Sequence, residues 1–258
     1  MHKILLDIGG TFIKCSDGRE VPINSAGTRD EIVSALREAV AACDCVRAAV
    51  PGPFDYGTGH FLMKHKFAAV YGEYFQDIVG VQDCKFVHDV NCMLLGEMAG
   101  GNGSSYSRVA MVALGTGLGF SMSIDGALLL SELGSPAVSL YNRPFRDGVL
   151  EDYVSKRGVW KLYGDSSLTV KEIASRALQG EERAIDAFRN MGEIIGTQIA
   201  SVMQEYDIEC LLLGGQISRS WKLFAPYISA QFVQAGLKID IQPISDFDNA
   251  TFNGLKAL

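Results

Sequence analysis

The 258-residue sequence contains no Cys-x-x-Cys pair, no extended cluster of basic residues and no long apolar run. Its six cysteines are scattered without histidines at ligand spacing, so we expect reduced, mostly buried thiols and no zinc site. A net charge of −7 without basic clusters predicts no nucleic-acid partner. No uninterrupted apolar segment reaches membrane-spanning length. A strand is predicted almost directly after the first residue, so we expect no signal peptide there. We therefore expect a cytoplasmic protein with no membrane partner.

Two common phosphate-binding motifs are also missing. The sequence has neither a Walker Gly-Lys-Ser/Thr nor a Rossmann Gly-x-Gly-x-x-Gly that opens a helix. Instead, the apolar strand Ile4–Leu6 leads through Asp7 into the turn Gly9–Thr11. Glycines let backbone amides approach an anion, and a carboxylate ending an apolar strand needs a cation or donor. The pattern indicates a Mg-nucleotide phosphate site or, alternatively, an ordinary hairpin turn.

The same order of elements recurs in the second half of the chain. The apolar strand Val109–Leu114 runs into Gly115-Thr116-Gly117, a second strand follows at Phe120–Ile124, and Asp125-Gly126 closes the next turn. A repeated strand–turn–strand unit predicts two α/β domains, each with a glycine turn for phosphates, that face a shared cleft.

The domain boundary is predicted in the glycine-rich stretch Gly100–Ser105, which gives domains of residues 1–103 and 104–258. Capping boxes at Thr28/Glu31 and Thr169/Glu172 predict helix starts in both domains. We expect the last helix, after Asp248, to pack back on the first domain.

Three loops follow predicted strands, where open α/β sheets bind ligands. They are Pro51-Gly52-Pro53, Asp89 and Gly214-Gly215. Each also has a structural explanation, since they can serve as a strand stop, a helix N-cap and a strand–helix turn. As a general base, Asp89 would need a substrate hydroxyl within hydrogen-bond reach.

The segment His60–Lys66 alternates weakly and is predicted as another strand. Its end carries Lys64, His65 and Lys66. These residues indicate either a solvated edge or a loop that contacts a substrate.

Together these pieces resemble the ROK family of sugar kinases, typified by bacterial glucokinases, within the actin-like ATPase (ribonuclease H-like) superfamily. The matching segments keep the family order and span nearly the whole chain: DIGGT at Asp7–Thr11, VPGP at Val50–Pro53, HDVNCMLLGE at His88–Glu97, LGTGLG at Leu114–Gly119, ELG at Glu132–Gly134, LE at Leu150–Glu151 and LLLGGQIS at Leu211–Ser218.

The resemblance implies an ATP- and Mg-dependent hexose kinase acting on glucose or a related sugar, and it allows a homodimer. In it, Asp89 is the catalytic base, and Asp7 orients Mg through water. The implied nucleotide-binding residues are Asp7, Gly9, Gly10, Thr11, Gly115, Thr116, Gly117, Gly214 and Gly215. The implied substrate contacts are Pro51, Gly52, His65, His88, Asp89, Glu132 and Glu151.

The sequence departs from the family pattern at several positions. Ser135 replaces the histidine of Glu-x-Gly-His, and the cysteine-rich zinc loop is absent from Tyr141–Gly148, which again predicts no zinc. His65 or Lys66 occupies the place of a sugar-contacting asparagine, and His88 replaces an asparagine. These changes leave open an N-acetylhexosamine, a non-sugar hydroxyl or a non-catalytic sensor. An iron–sulfur ATPase activator is disfavoured because the cysteines are scattered.

Overall fold

The computed structural model describes residues 2–258. Contacts between Cα atoms group the chain into two compact units. The first unit runs up to residue 99 and includes residues 129–137 and 249–258, while the second unit comprises residues 100–128 and 138–248. Our sequence interpretation had assigned 129–137 to the second domain. Its position in the first unit depends on long-range packing that no local pattern reports.

The first unit contains one mixed five-stranded sheet, a small hairpin and four helices. Its strands are β1 (Lys3–Ile8), β2 (Phe12–Cys15), β3 (Glu20–Pro22), β4 (Cys45–Val50), β5 (Phe54–Asp55), β6 (His60–Phe61) and β7 (Asp83–His88). Its helices are α1 (Arg29–Val40), α2 (Phe75–Val79), α3 (Asp89–Gly100) and a last helix, Ala250–Lys256, with a 3-10 turn at Ala68–Val70. The sheet order is β3-β2-β1-β4-β7, with β1, β4 and β7 parallel.

The second unit repeats this strand plan. Its strands are β8 (Arg108–Leu114), β9 (Leu118–Ile124), β10 (Ala127–Leu128), β11 (Pro144–Phe145), β12 (Gly148–Val149), β13 (Cys210–Gly214) and β14 (Asp240–Pro243). Its helices are α4 (Glu151–Val154), α5 (Lys156–Tyr163), α6 (Val170–Leu178), α7 (Glu182–Glu205) and α8 (Ala225–Gln234), with a 3-10 segment at Gln216–Leu223. The sheet order is β10-β9-β8-β13-β14, and β8, β13 and β14 are parallel.

Both predicted capping boxes are confirmed. The Thr28 hydroxyl accepts from the Glu31 N–H, and the Glu31 carboxylate accepts from the Thr28 N–H. Thr169 and Glu172 make the same reciprocal pair at the start of α6. These motifs satisfy backbone donors that the first helical turn leaves open, so they fix both starts from local sequence alone.

The predicted strand His60–Lys66 is wrong beyond its first two residues, because only β6 forms there. Phe67 has a left-handed φ of 52° and its side chain is fully buried, so the chain turns away from strand geometry into the 3-10 turn. The aromatic ring drives this turn, since burying it outweighs the cost of the backbone conformation.

The last helix, α9 (Ala250–Lys256), packs in the first unit. Its Leu255 is fully buried with Leu5, Val87 and Cys92 in one apolar cluster. A Cβ on Gly254 would lie only 1.8 Å from the Cys92 carbonyl oxygen, so this approach of α9 to α3 requires glycine. None of the helices in residues 2–258 is long and apolar enough to cross a bilayer.

Candidate functional site

Two carboxylates lie at strand ends of the first sheet. Asp7 is on β1 and Asp89 directly follows β7, and both strands are parallel to β4 between them, so their carboxyl ends share one edge. Burial and, to a smaller extent, the negative charge of Asp89 together raise the pKa of Asp7 to about 6. Lys14 and a hydrogen bond with Thr251 partly offset this increase.

The Asp89 carboxylate is held through one of its two oxygens. Oδ1 accepts from the Val90 N–H at 2.7 Å and lies 2.8 Å from Nδ1 of His88. Enclosure by protein raises the pKa of Asp89, but the imidazole of His88, the Val90 N–H and the charge of Lys66 outweigh it and bring the pKa below its usual value. No bond in the described residues uses Oδ2, and the side chain is 53% exposed, so Oδ2 can accept a proton from a ligand.

His88 connects Asp89 with the loop after β4. Its Nδ1 is buried and close to the carboxylate, although no N–H there is aligned for a regular hydrogen bond, so the contact is mainly electrostatic. The ring packs edge-on against Tyr56 with centroids 5.8 Å apart. A Cβ on Gly52 would lie 3.4 Å from the imidazole, so the Pro51-Gly52 loop fits closely against His88.

The first glycine turn has unused amide donors. Gly9 donates to the Phe12 carbonyl at 2.9 Å, whereas the amides of Gly10 and Thr11 take part in no hydrogen bond within residues 2–258. A Cβ on Gly10 would lie 3.2 Å from Ser25 Oγ and 4.0 Å from Lys66 Cε. The turn therefore presents free N–H groups beside a hydroxyl and an ammonium group, which suits an anion.

The loop 129–137 brings Glu132 into the first unit. The Tyr56 N–H donates to the Leu133 carbonyl at 2.9 Å, and the Asn91 side chain donates to the Gly134 carbonyl at 3.2 Å. Glu132 directly precedes these two hydrogen-bonded residues, and its side chain is exposed. Because Asn91 is two residues after Asp89, the loop lies beside the first turn of α3.

His65 and Lys66 differ in their surroundings. His65 is exposed and makes no hydrogen bond or ion pair within the part of the chain that the structure describes. Lys66 instead extends beside Gly10, and its charge reaches Asp89. The sequence analysis names His65 as the substrate contact and gives Lys66 only as the other residue that could occupy the same family position. It also missed Ser25, Tyr56 and Thr251, which reach the site only through tertiary packing.

The second glycine turn is held by an acidic side chain. Glu151 Oε2 accepts from the Leu118 N–H at 2.9 Å, and its Oε1 pairs with Arg157 at 2.7 Å. A Cβ on Gly117 would lie 2.6 Å from Glu151 Oε2. The Lys156 N–H donates to the Gly115 carbonyl at 2.9 Å, and Thr116 is exposed. Glu151, predicted as a sugar contact, is thus engaged at the turn of its own unit.

The Gly214-Gly215 turn closes tightly on β8. Gly214 pairs with Ala113 at the end of β13, and Gly215 has a φ of 79°. A Cβ on Gly215 would lie 2.3 Å from the Leu114 carbonyl oxygen. Packing against β8 therefore explains this glycine without a ligand.

The segment Tyr141–Gly148, where the resemblance would lead one to look for a zinc loop, contains the β11–β12 hairpin. The Arg146 guanidinium lies 5.1 Å from the ring of Phe145 and 5.3 Å from that of Tyr153. Cation–π contacts of this kind stabilise a short hairpin without a metal. Within residues 2–258, no three His, Cys, Asp or Glu side chains are grouped so that they could hold a metal ion directly.

Comparison with known sequences gives related kinases. The model of the ROK family matches residues 144–252. An N-acetylgalactosamine kinase of Shewanella sp. (strain ANA-3) is 29% identical over 186 residues, which cover 64% of this chain and 60% of that protein. An N-acetyl-D-glucosamine kinase of Haemophilus influenzae is 27% identical over 51% of both chains. The chain therefore spans about half to three-fifths of the length of these relatives.

Comparison with solved structures covers almost the entire chain. A ROK family glucokinase from Streptomyces griseus, crystallised with glucose and AMPPNP, superposes with a TM-score of 0.78 at 22% identity. The superposition covers 98% of this chain and 97% of that one. The chain therefore has the actin-like ATPase fold seen in this ROK family glucokinase.

Proposed function

We propose that this protein is a sugar kinase that transfers the γ-phosphate of ATP to a hydroxyl group of a hexose or N-acetylhexosamine. The observation that carries the proposal is the pair formed by Asp89 and the first glycine turn in one unit. Asp89 has an oxygen free to take a proton, and the nearby turn has amides free to bind phosphate. Phosphoryl transfer to an alcohol needs these two functions close together.

Asp89 is the proposed general base. A sugar hydroxyl is a weak nucleophile at neutral pH, and a carboxylate that accepts its proton as the new bond forms contributes about 10²–10⁴-fold. Val90 and His88 hold Oδ1, so the carboxylate would use Oδ2 toward the acceptor. A pKa below the usual range keeps Asp89 ionised at neutral pH. In this assignment His88 positions the base, in addition to any contact with sugar.

Asp7 is the proposed site of Mg²⁺ binding through water. Its half-buried carboxylate is repelled by the charge of Asp89, which Lys14 and Thr251 offset only in part, and a cation would relieve that repulsion. Oxygen ligands and retained waters are what Mg²⁺ prefers. Bound there with the nucleotide, Mg²⁺ would supply neutralisation of phosphate charge. The amides of Gly10 and Thr11 would then orient phosphate oxygens.

The second unit is proposed to contribute Gly115, Thr116 and Gly117 to phosphate binding and Gly214 and Gly215 to the adenosine. Glu151 holds the first of these turns through the Leu118 N–H, so we assign it a positioning role there alongside the predicted role as a sugar contact. Arg157, which pairs with Glu151, adds a cation beside the turn.

The acceptor is proposed to bind against Glu132, Pro51, Gly52, His65 and His88. The relatives named above act on N-acetylgalactosamine and N-acetyl-D-glucosamine, and the related structure is a glucokinase. These names favour a sugar over a non-sugar hydroxyl. The retained base, Asp89, favours an enzyme over a sensor.

A coupled assay of ADP release with Mg-ATP tests the proposal. The panel should contain glucose, N-acetylglucosamine, N-acetylgalactosamine, N-acetylmannosamine and a polyol such as glycerol. Acceleration by one sugar identifies the acceptor. A chain that binds ATP but transfers phosphate to none of them contradicts the proposed kinase activity.

A further inference from the structure

Lys66 is fixed beside the first glycine turn by a chain of backbone hydrogen bonds. The Ser25 N–H donates to the Gly10 carbonyl at 3.1 Å, and the Phe67 N–H donates to the Ser25 carbonyl at 2.6 Å. The residue after Lys66 is therefore tied, through Ser25, to Gly10 itself. These two hydrogen bonds connect Gly10 with Phe67, which are more than 50 residues apart in the sequence.

The backbone next to Lys66 is held in an uncommon conformation. Phe67 has a φ of 52°, a region that bulky residues rarely adopt, and its ring is fully buried 5.8 Å from that of Phe61. Such conformations persist only where the surrounding packing imposes them, and they concentrate at binding sites. The buried ring thus sets the direction in which the chain leaves Lys66.

The ammonium group of Lys66 has no carboxylate partner at ion-pair distance within residues 2–258, and the side chain is exposed. Its Cε lies 4.0 Å from where a Cβ on Gly10 would be, next to amides that are also unpartnered. Its positive charge is one of the influences that lower the pKa of Asp89. Lys64, by contrast, lies over the ring of Tyr71 at 5.3 Å.

We propose that Lys66, the Gly10 amide and the Ser25 hydroxyl form an oxyanion subsite of this unit. The ligand is a phosphate or carboxylate oxygen, because a lysine ammonium binds such groups as a point charge and free amides and a hydroxyl add donors. The inference rests on the proposed kinase function and deepens it. Two sources fit the chemistry, which are the terminal phosphate of the nucleotide and an anionic substituent of the acceptor.

Calorimetric titration of three variants tests the subsite, namely Lys66→Met, Lys66→Arg and the control Lys64→Met. Each is titrated with Mg-AMPPNP, Mg-ADP, glucose and glucuronate. All three replace exposed side chains, so unchanged melting temperatures will verify that they fold. If the oxyanion is the terminal phosphate, Lys66→Met should weaken AMPPNP roughly ten- to hundredfold while leaving ADP within about twofold. Lys66→Arg and Lys64→Met should retain the wild-type preference.

If the oxyanion belongs to the acceptor, wild type should bind glucuronate more tightly than glucose, and Lys66→Met should lose that preference without affecting nucleotides. Lys66→Met binding every probe like wild type would overturn the subsite. A wild-type chain that binds no nucleotide would instead contradict the kinase function. Titration with pyrophosphate then tests the subsite alone, and equal affinity in wild type and Lys66→Met would reject it.

Discussion

The two glycine turns occupy the same position in two sheets of the same strand order, yet the side chains that lie directly against them differ in charge. Lys66 lies beside the first turn, and the amides of Gly10 and Thr11 are free. Glu151 lies against the second turn and already accepts from the Leu118 N–H. The second sheet thus repeats the strand order of the first, but not the side chains and free amides at its glycine turn.

The residue two positions ahead of each turn extends this contrast. Asp7 precedes Gly9 on β1, whereas Ala113 precedes Gly115 on β8. The first sheet therefore has a partly buried carboxylate at this point, and the proposed base, Asp89, follows β7, two strands away from β1. The shared strand order thus determines where a ligand can approach each sheet, and individual side chains determine which ligand can bind there.

Removing the base should give the largest effect. Asp89→Asn keeps the size of the side chain but cannot accept the hydroxyl proton, so we expect kcat to fall by about 10²–10⁴. Nucleotide affinity, measured by calorimetry, should stay near that of wild type. Near-native turnover in the variant would exclude Asp89 as the base and would remove the main functional difference between the two sheets.

Asp7→Asn tests the buried carboxylate of the first sheet. The pKa of Asp7 is raised from 3.8 to about 6, so the native state holds a proton that the unfolded chain has already released between these pH values. This contribution is fully present below about pH 4 and is lost as the pH rises through 6. Relative to the variant, wild type should therefore lose about 2–3 kcal/mol of unfolding free energy across this window.

The measurement is thermal or urea unfolding of both proteins at pH 4, 5, 6 and 8. The exposed Asp77→Asn on α2 serves as the control and should follow wild type. Adding Mg²⁺ at pH 8 should stabilise wild type and leave Asp7→Asn unchanged. A constant difference between wild type and variant at all pH values would contradict the assigned burial.

Changing His88 should reduce kcat through the orientation of Asp89. His88→Leu removes the group at 2.8 Å from Oδ1, so we expect kcat to fall about tenfold with little change in the KM for ATP. His88→Asn keeps a polar group beside the carboxylate and should recover most of the loss. His60, which stacks on Tyr74, provides the control His60→Asn. Equal loss in both His88 variants would argue for a purely steric role.

The smallest effect should come from the second turn. A Cβ at Gly117 would displace Glu151 from the Leu118 N–H, whereas nothing lies within 4 Å of a Cβ at Gly115. We expect Gly117→Ala to cost about 1–2 kcal/mol in urea unfolding and Gly115→Ala less than about 0.5. In the background of Glu151→Ala the two substitutions should become similar, which a double-mutant cycle will measure.

Local signals in the sequence predicted much of the fold. The helix starts at Thr28 and Thr169 follow from bonds within four residues, and the strand–turn–strand pattern gave both hairpins. The segment after Phe61 was mispredicted because the burial of Phe67 overrides a weak alternation. A tertiary contact of one ring decided that conformation, and no window of sequence contains it.

The candidate site also contains some features that local sequence predicts and others that depend on tertiary contacts. Asp7 and Asp89 were predicted from strand ends, and the structure brings both to one edge of the first sheet. The position of Lys66 beside Gly10 could not be predicted, because the hydrogen bonds that link the two segments pass through Ser25, far from Lys66 in the chain. Glu151 was predicted as a sugar contact from the family motif, and motif order does not reveal that its carboxylate also accepts from the Leu118 N–H.

The packing of α9 in the first unit bears on the order in which the protein can be completed during synthesis. Leu255 shares an apolar cluster with Leu5 of β1, and Thr251 hydrogen-bonds Asp7, so β1 completes its packing only after α9, which follows it at a great distance along the chain, has been synthesised. All residues of the second unit, which end at Asp248, are available before that helix. The unit that carries the proposed base is therefore completed after the second unit.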